Sequence, residues 1–216
     1  MKVILFGATG MVGQGVLREC LLDGSVERVV AVGRTPTGIA AAKLHELIRR
    51  DMFDFRGAEE LHGCEAYLFC LGVSSLGMSE ADYTRLTYDL TLGWARTLAR
   101  IDPTMTFIYV SGAGTGGKAM WARVKRRTEE ALLDLFPNAY LFRPAAIRPM
   151  HGEVSKTRWT RIGNAVAWPI LPLLHAIAPG AIVTTEELGR AMIHVARHGA
   201  PKHVLENRDL RALVAT

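Results

Sequence analysis

The sequence of 216 residues predicts a single α/β domain built on a doubly wound parallel sheet. Short apolar segments bounded by Gly, Pro or Asp alternate with helix-like segments, as buried parallel strands and their crossover helices do. Three glycines lie between the first apolar segment and the first helix, where a Rossmann fold needs a tight turn. The length allows one domain, residues 1–216, with a full core and a small C-terminal elaboration.

The predicted elements follow in chain order. The strands are expected at Lys2–Phe6, Arg28–Val32, Arg50–Phe53, Tyr67–Leu71, Thr106–Val110 and Ala139–Phe142, and the helices at Met11–Leu22, Ala40–Arg49, Glu80–Arg100 and Met120–Leu135. After Pro149 the alternation weakens, and residues 150–182 are predicted to form a substrate-side segment. Beyond it, Thr184 and Glu187 form a capping box that predicts a further helix, and His203–Glu206 predicts a last strand.

The net charge of +5 does not indicate a nucleic-acid interface, because the basic residues are scattered. Their only cluster is Lys125-Arg126-Arg127, and three neighbours on a helix point in different directions. The most apolar stretch, Ala165–Ala178, contains prolines and is too short to cross a bilayer. We therefore expect no nucleic-acid partner and no membrane insertion, and a cytoplasmic location because the N-terminus enters the first strand directly.

The cysteine pattern argues against a disulfide-rich protein and against a cysteine-ligated metal site. Cys20, Cys64 and Cys70 are odd in number and show no Cys-x-x-Cys spacing, so the sequence predicts neither a disulfide framework nor a metal site. Cys20 and Cys70 lie within apolar runs and are interpreted as small core residues.

The first strand, turn and helix have the geometry that holds a dinucleotide pyrophosphate. Gly7 permits the tight turn, Gly10 lets the backbone approach the phosphates, and Gly13 lets the helix pack close to the strand. The helix N-terminus then offers unpaired N–H groups and a partial positive charge to the anion. The residues predicted to bind the cofactor here are Gly7, Thr9, Gly10, Met11, Val12 and Gly13.

The end of the second strand indicates which dinucleotide is bound. NAD-binding domains usually carry Asp or Glu there for the ribose 2′-hydroxyl, but this strand ends in Gly33-Arg34. Because an arginine can pair with a 2′-phosphate, the sequence predicts NADP(H). Asp51 is either an acceptor for the adenine amino group or a solvated carboxylate. Leu71 and Gly72, after the fourth strand, are expected to lie against the ribose and pyrophosphate.

These residues, together with Val110-Ser111, Val124-Lys125 and Phe142-Arg143-Pro144, resemble the short-chain dehydrogenase/reductase superfamily. The chain is most similar to atypical members with a Gly-x-x-Gly-x-x-Gly loop, in the epimerase-like branch that includes the human Tat-interacting oxidoreductase. The resemblance covers residues 2–149 and implies an NADP(H)-dependent oxidoreductase or epimerase-like enzyme. It also implies contact between Pro144 and the nicotinamide carboxamide, and a homodimer through the helices Glu80–Arg100 and Met120–Leu135.

The resemblance implies that Ser111 and Lys125 are catalytic. In the superfamily, a serine and a Tyr-x-x-x-Lys pair carry the acid–base chemistry of hydride transfer, and the lysine also holds the nicotinamide ribose. The resemblance therefore implies that Lys125 binds the cofactor as well. Ser111 and Lys125 match this pattern, but Trp121 stands where the tyrosine is expected. An indole N–H donates a hydrogen bond but does not exchange a proton at useful pH.

Three consequences of this departure remain open. Ser111 or a water held by Lys125 does the acid–base work; or Tyr83 or Tyr88 from the preceding helix takes the place of the missing tyrosine; or the protein binds NADP(H) without turnover, as a regulatory or sensor protein. His151 is a weaker proton-donor candidate. The glycine-rich stretch 111–117 is expected to be a substrate loop or a plain connector.

Overall fold

A computed structural model describes residues 1–153 and 182–215. The helices in these ranges are α1 (Met11–Leu22), α2 (Glu80–Thr84), α3 (Leu90–Ile101), α4 (Met120–Leu135), α5 (Thr185–His198) and α6 (Asn207–Ala212). The strands are β1 (Lys2–Phe6), β2 (Arg28–Gly33), β3 (Leu44–Ile48), β4 (Ala66–Phe69), β5 (Thr106–Val110), β6 (Ala139–Arg143), β7 (Ala146–Arg148), β8 (Ile182–Thr184) and β9 (Val204–Glu206). Most of the predicted substrate-side segment, with Trp159, Trp168 and His175, lies outside the described residues.

In the part of the chain that the structure describes, seven strands form one sheet in the order β3-β2-β1-β4-β5-β6-β9. Every neighbouring pair in it is parallel. The order β3-β2-β1-β4-β5-β6 is that of a doubly wound dinucleotide-binding fold, and it confirms the predicted fold class. The order of strands reverses between β1 and β4, so the crevice beyond their carboxyl ends is the expected ligand site.

Helices cover both faces of this sheet, and each face has its own apolar core. On one face Val3, Leu5 and Ile108 pack with residues of α1 and α5. On the other, the aromatic residues Phe6 and Phe107 pack with residues of α3 and α4. Alternate residues of the central strands β1, β4 and β5 thus point to opposite cores, which explains why these strands are almost entirely apolar.

The prediction for the region after β2 is wrong in two respects. Residues 34–43, all described, contain no helix, and the third strand is Leu44–Ile48 rather than Arg50–Phe53. Ala40, Leu44 and Leu47 are spaced as on one face of a helix, so the local pattern of apolar residues does not by itself indicate a strand here. The free edge of β2 needs a partner for its backbone groups. The strand β3 is that partner, and it pairs in a register that sets Val29 opposite Leu44 and Gly33 opposite Ile48.

Other boundaries differ less from the predictions. The long helix Glu80–Arg100 is present but is interrupted by a π-helical turn, Arg85–Asp89, between α2 and α3. The capping box is confirmed, since the Thr184 side chain accepts from the Glu187 N–H and the Glu187 carboxylate accepts from the Thr184 N–H. The last strand is also present, as β9. Helix α6 and the two-stranded pair of β7 with β8 were not predicted.

Helix α1 lies unusually close to its neighbours because glycines face them. A Cβ on Gly13 would lie 2.0 Å from the carbonyl oxygen of Gly7, and a Cβ on Gly15 would lie 2.5 Å from Cβ of Thr185 in α5. Both distances are far below van der Waals contact, so neither position accepts a larger residue without movement of the backbone.

Within residues 1–153 and 182–215, no helix combines the length and the hydropathy of a membrane span.

We expect Gly13→Ala to lower the free energy of unfolding by about 1–3 kcal/mol, because the added methyl overlaps the Gly7 carbonyl. Alanine is the better helix former by about 1 kcal/mol, so a loss can be attributed to the steric clash. Urea unfolding measures the change. Gly24→Ala is the matched control, since a Cβ at that position would meet nothing within 4 Å, and equal stability of the two variants would contradict the prediction.

Candidate functional site

A cleft of about 780 Å³ lies at the carboxyl edge of the sheet, beyond β1 and β4. Its volume falls within the range of about 300–1,000 Å³ that is usual for small-molecule and cofactor sites. The cleft is lined by Gly7, Thr9, Gly10, Met11, Val12, Gly33, Arg34, Thr35, Met52, Cys70, Leu71, Gly72, Val73, Val110, Ser111, Gly112, Ala113, Trp121, Lys125, Pro144, Ala145 and Ile147. All the predicted site residues except Gly13 and Asp51 are among them.

The glycine turn forms the middle of the cleft. Gly7 has a φ of +83°, and a Cβ there would lie 2.8 Å from the carbonyl oxygen of Cys70. Gly10 is the N-cap of α1; no side chain caps this helix, and its first turn carries no acidic residue. The helix therefore presents an N-terminus without an anionic side chain of its own. Gly13 is buried beneath the turn and acts through packing, not by lining the cleft.

Arg34 lies at one end of the cleft, directly after β2. Its side chain is exposed, and among the described residues no hydrogen bond or ion pair engages it. Asp51 lies in the turn after β3 and does not line the cleft in this structure. Its carboxylate accepts from the Phe53 N–H at 2.9 Å. This local bond favours the alternative of a solvated carboxylate, and contact between Asp51 and an adenine stays a prediction.

Met52 is the residue directly after Asp51, in the same turn. It is 6% exposed and lines the cleft. Its carbonyl oxygen accepts from the indole Nε1 of the fully buried Trp94 at 2.8 Å, which fixes the turn to α3. No sequence pattern indicates this contact, because the two residues are far apart in the chain.

Lys125 and Ser111, which the family resemblance singled out, meet at the other end of the cleft. The Lys125 ammonium donates to the backbone carbonyl of Ser111. Burial lowers the pKa of Lys125 from 10.5 to about 8, and the nearby Glu129 carboxylate opposes this shift. Lys125 is therefore a cleft-lining cation that can gain or lose a proton close to neutral pH.

The Ser111 hydroxyl points away from the cleft. It donates to Oε1 of Glu129 at 2.5 Å, and Ser111 is 6% exposed. The Arg143 guanidinium binds the same carboxylate, with Nε 3.0 Å from Oε1 and Nη2 2.5 Å from Oε2. Glu129 was not among the predicted site residues, although its position one helical turn after Lys125 was a usable signal.

Trp121 forms a wall of the cleft, where the family pattern would place a tyrosine. The glycine-rich stretch 111–117 packs beside it, and a Cβ on Gly114 would lie 3.3 Å from the indole. This stretch is held by its backbone. The Ala113 N–H donates to the Pro144 carbonyl at 2.9 Å, and the Gly116 N–H donates to the Ala122 carbonyl at 3.1 Å.

The other proton-donor candidates do not reach the cleft. Tyr83 is 2% exposed and burial raises its pKa, while Tyr88 lies beneath Arg127 at 4.1 Å from guanidinium carbon to ring centre. His151 faces a neighbouring cavity, where its Nε2 lies 3.2 Å from a carboxylate oxygen of Glu186. Among the described lining residues, no tyrosine or histidine is present.

The sequence is similar, at low identity, to curated proteins of fungi. It is 25% identical to leucinostatins biosynthesis cluster protein T of Purpureocillium lilacinum, over 89% of this chain and 83% of the relative. It is 28% identical to protein FMP52, mitochondrial, of Chaetomium globosum, over 67% of this chain and 65% of the relative. No protein-family model matches the sequence.

Solved structures share the fold over nearly the whole chain. A UDP-glucose 4-epimerase gives a TM-score of 0.71 at 14% identity, covering 98% of this chain and 80% of that one. UDP-glucuronic acid 4-epimerase from Bacillus cereus, in complex with NAD, gives 0.69 at 13% identity, covering 95% and 78%. At such identities the likeness establishes the fold, and the narrower resemblance to the Tat-interacting branch stays a prediction.

The lowered pKa of Lys125 predicts a pH-dependent contribution to stability. Between pH 8 and 10.5 the unfolded chain holds a proton on Lys125 that the folded chain has lost, so wild-type stability rises with pH. We expect the wild-type free energy of unfolding, relative to Lys125→Met, to increase by about 1–3 kcal/mol between pH 7 and pH 10.

Urea unfolding at several pH values measures this difference. Lys118→Met removes an exposed lysine shortly before α4 and is the matched control, which should follow the wild-type pH profile. Parallel profiles for wild type and Lys125→Met would show that the amine is not desolvated in the folded protein.

Proposed function

We propose that this chain binds NADP(H) and acts as an oxidoreductase or epimerase-like enzyme on a small carbonyl or hydroxyl compound. The cleft is the observation that carries the proposal: it joins a glycine turn, an uncapped helix N-terminus and two cationic side chains at the strand-order reversal. The NAD-bound epimerase of the same fold supports the proposal at the level of cofactor class.

The glycine turn fits a pyrophosphate. Gly10 leaves the approach to the helix N-terminus open, since a Cβ there would meet only the Gly7 carbonyl oxygen at 3.4 Å. Backbone N–H groups and the helix dipole at such a terminus favour an anion, and no carboxylate of the first turn competes for them. Thr9, Met11 and Val12 would enclose the phosphates, as expected from the sequence.

Arg34 supports the phosphorylated form of the cofactor. It is a cleft-lining cation without an ion-pair partner among the described residues, so a 2′-phosphate would not have to displace a carboxylate from it. No acidic residue lines the described part of the cleft, which leaves a ribose 2′-hydroxyl without the usual acceptor. The proposed preference for NADP(H) over NAD(H) therefore rests on this chain's own residues.

The opposite end of the cleft would hold the nicotinamide, and a bound nicotinamide supplies hydride exchange. Pro144 and Ala145 line the cleft there, and the Ala145 N–H donates to Oδ1 of the buried Asn207 at 2.8 Å. Lys125 carries the proton that a substrate oxygen bound at this end would accept. The Ser111 hydroxyl is engaged by Glu129 and does not take this role in the conformation described.

Two observations favour a second candidate function, an NADP(H)-binding regulatory or sensor protein with reduced catalysis. Trp121 replaces the proton-exchanging tyrosine, and the Ser111 hydroxyl is turned away from the cleft. A homodimer and a cytoplasmic location stay predictions; FMP52 of Chaetomium globosum is named a mitochondrial protein.

Arg34→Ala should weaken NADPH binding about 10- to 150-fold, because about 1.5–3 kcal/mol of charge-assisted hydrogen bonding is lost. NADH binding should change little. Isothermal titration calorimetry of both nucleotides with both proteins measures this. Arg28→Ala, at the opposite end of β2, is the matched control and should bind NADPH as the wild type does. Equal affinity of wild type for NADPH and NADH would contradict the proposed cofactor preference.

Turnover distinguishes the two candidate functions. We expect the wild type to oxidise NADPH in the presence of at least one member of a panel of aldehydes and ketones. The absorbance of the reduced nicotinamide measures this oxidation. Lys125→Met should lower kcat by about 100-fold or more, in the range of a lost general acid. NADPH binding without turnover of any compound would favour the regulatory protein.

A further inference from the structure

Glu129 is a buried carboxylate that neither lines the cleft nor has a role in the function proposed above. It is 2% exposed and lies on the face of α4 that packs against the ends of β5 and β6. Its two oxygens accept from Ser111 and Arg143, so both are engaged. A carboxylate at this depth is costly unless it is paired, and the pair itself is weak evidence of a purely stabilising role.

The contacts join Glu129 to the cleft through one residue. Lys125, one turn earlier on α4, donates to the backbone carbonyl of Ser111, while Glu129 accepts from the hydroxyl of the same serine. Arg143 approaches Glu129 from the end of β6, directly before the cleft-lining Pro144. The carboxylate thus fixes the ends of two strands and the ammonium of Lys125 relative to one another.

We propose that Glu129 is a positioning residue: it draws the Ser111 hydroxyl out of the cleft and holds Lys125 as the protonated donor at the substrate end. The reaction part of this statement rests on the proposed function, whereas the effect on Lys125 is a property of the free protein. In the described lining of the cleft, Arg34 and Cys70 are the other ionisable groups, and burial raises the pKa of the Cys70 thiol well above neutrality.

The charges around this cluster oppose each other. Glu129 attracts the proton of Lys125, and Arg143 partly neutralises Glu129 from the other side. Glu206, beyond Arg143, acts on that guanidinium, and Tyr109 on β5 is kept neutral because burial raises its pKa. Removal of the Glu129 charge should therefore shift the Lys125 titration to lower pH.

Competitive labelling with acetic anhydride between pH 6 and pH 11, read by peptide mass spectrometry, reports the titration of Lys125 directly. We expect Glu129→Gln to lower the midpoint at Lys125 and so raise its labelling at pH 7, by about fivefold if the midpoint falls one unit below a pKa of about 8. Glu129→Asp retains the charge and should keep the midpoint near that of the wild type. Labelling of the exposed Lys118 is the internal reference.

The matched control is Glu130→Gln. It removes the same charge from the adjacent position of α4, where Glu130 is exposed and paired with Arg126. It should leave the Lys125 midpoint unchanged. If Glu129→Gln does not fold, the paired variant Glu129→Gln with Arg143→Gln removes the buried carboxylate together with its half-buried partner. It should also lower the Lys125 midpoint, by less than Glu129→Gln alone, because the opposing charge of Arg143 is lost as well.

The proposal is overturned if the Lys125 midpoint is the same in wild type, the foldable Glu129 variant and Glu130→Gln, since Glu129 would then be merely structural. NADPH titration of the same samples tests the proposed function separately. A lowered Lys125 midpoint in the Glu129 variant, together with no NADPH binding by the wild type, would support the role of Glu129 and contradict the proposed cofactor. NADPH binding with an unchanged Lys125 midpoint would support the proposed cofactor and overturn the role of Glu129.

Discussion

The contact between Gly13 and the carbonyl oxygen of Gly7 is the constraint on which the rest of the structure depends. A Cβ at Gly13 would lie 2.0 Å from that oxygen, so α1 occupies its position only because the residue has no side chain. The helix N-terminus consequently reaches the end of β1 and faces the crevice where the strand order reverses. One close backbone contact thus determines both the packing of the first crossover and the polarity of the cleft.

Glycines, which have no side chain, also allow α1 and α5 to pack together although the two helices are distant in the chain. Gly15 of α1 faces Thr185, and Gly189 of α5 faces the side chain of Glu19 with a would-be Cβ distance of 2.8 Å. The two helices can therefore cover one face of the sheet side by side. Glu19, buried between them, forms ion pairs with Arg18 and Arg190 at their outer edge. Close packing at the glycines and the ion pairs of Glu19 together hold α1 against α5.

Charge is distributed unequally along the cleft. Arg34 is exposed and unengaged among the described residues, while Lys125 is partly buried and bound to Ser111 through its ammonium. The first carries a positive charge at every working pH and is suited to pair with an anion, whereas the second can gain or lose a proton near neutral pH. A buried carboxylate, Glu129, lies beneath the second cation and contacts Ser111 and Arg143 at the ends of β5 and β6.

The sequence by itself determined the features that short-range physics encodes: the buried strands, the glycine turn and the capping box at Thr184. Each of these features depends on residues that are close together in sequence, so their spacing can be recognised without the structure. Only the tertiary structure decided the position of β3, where pairing with β2 overrode a helical spacing of apolar residues. It also decided that the Ser111 hydroxyl turns inward and that Met52, not Asp51, lines the cleft. The direction of a polar side chain depends on partners distant in sequence, and no local pattern records them.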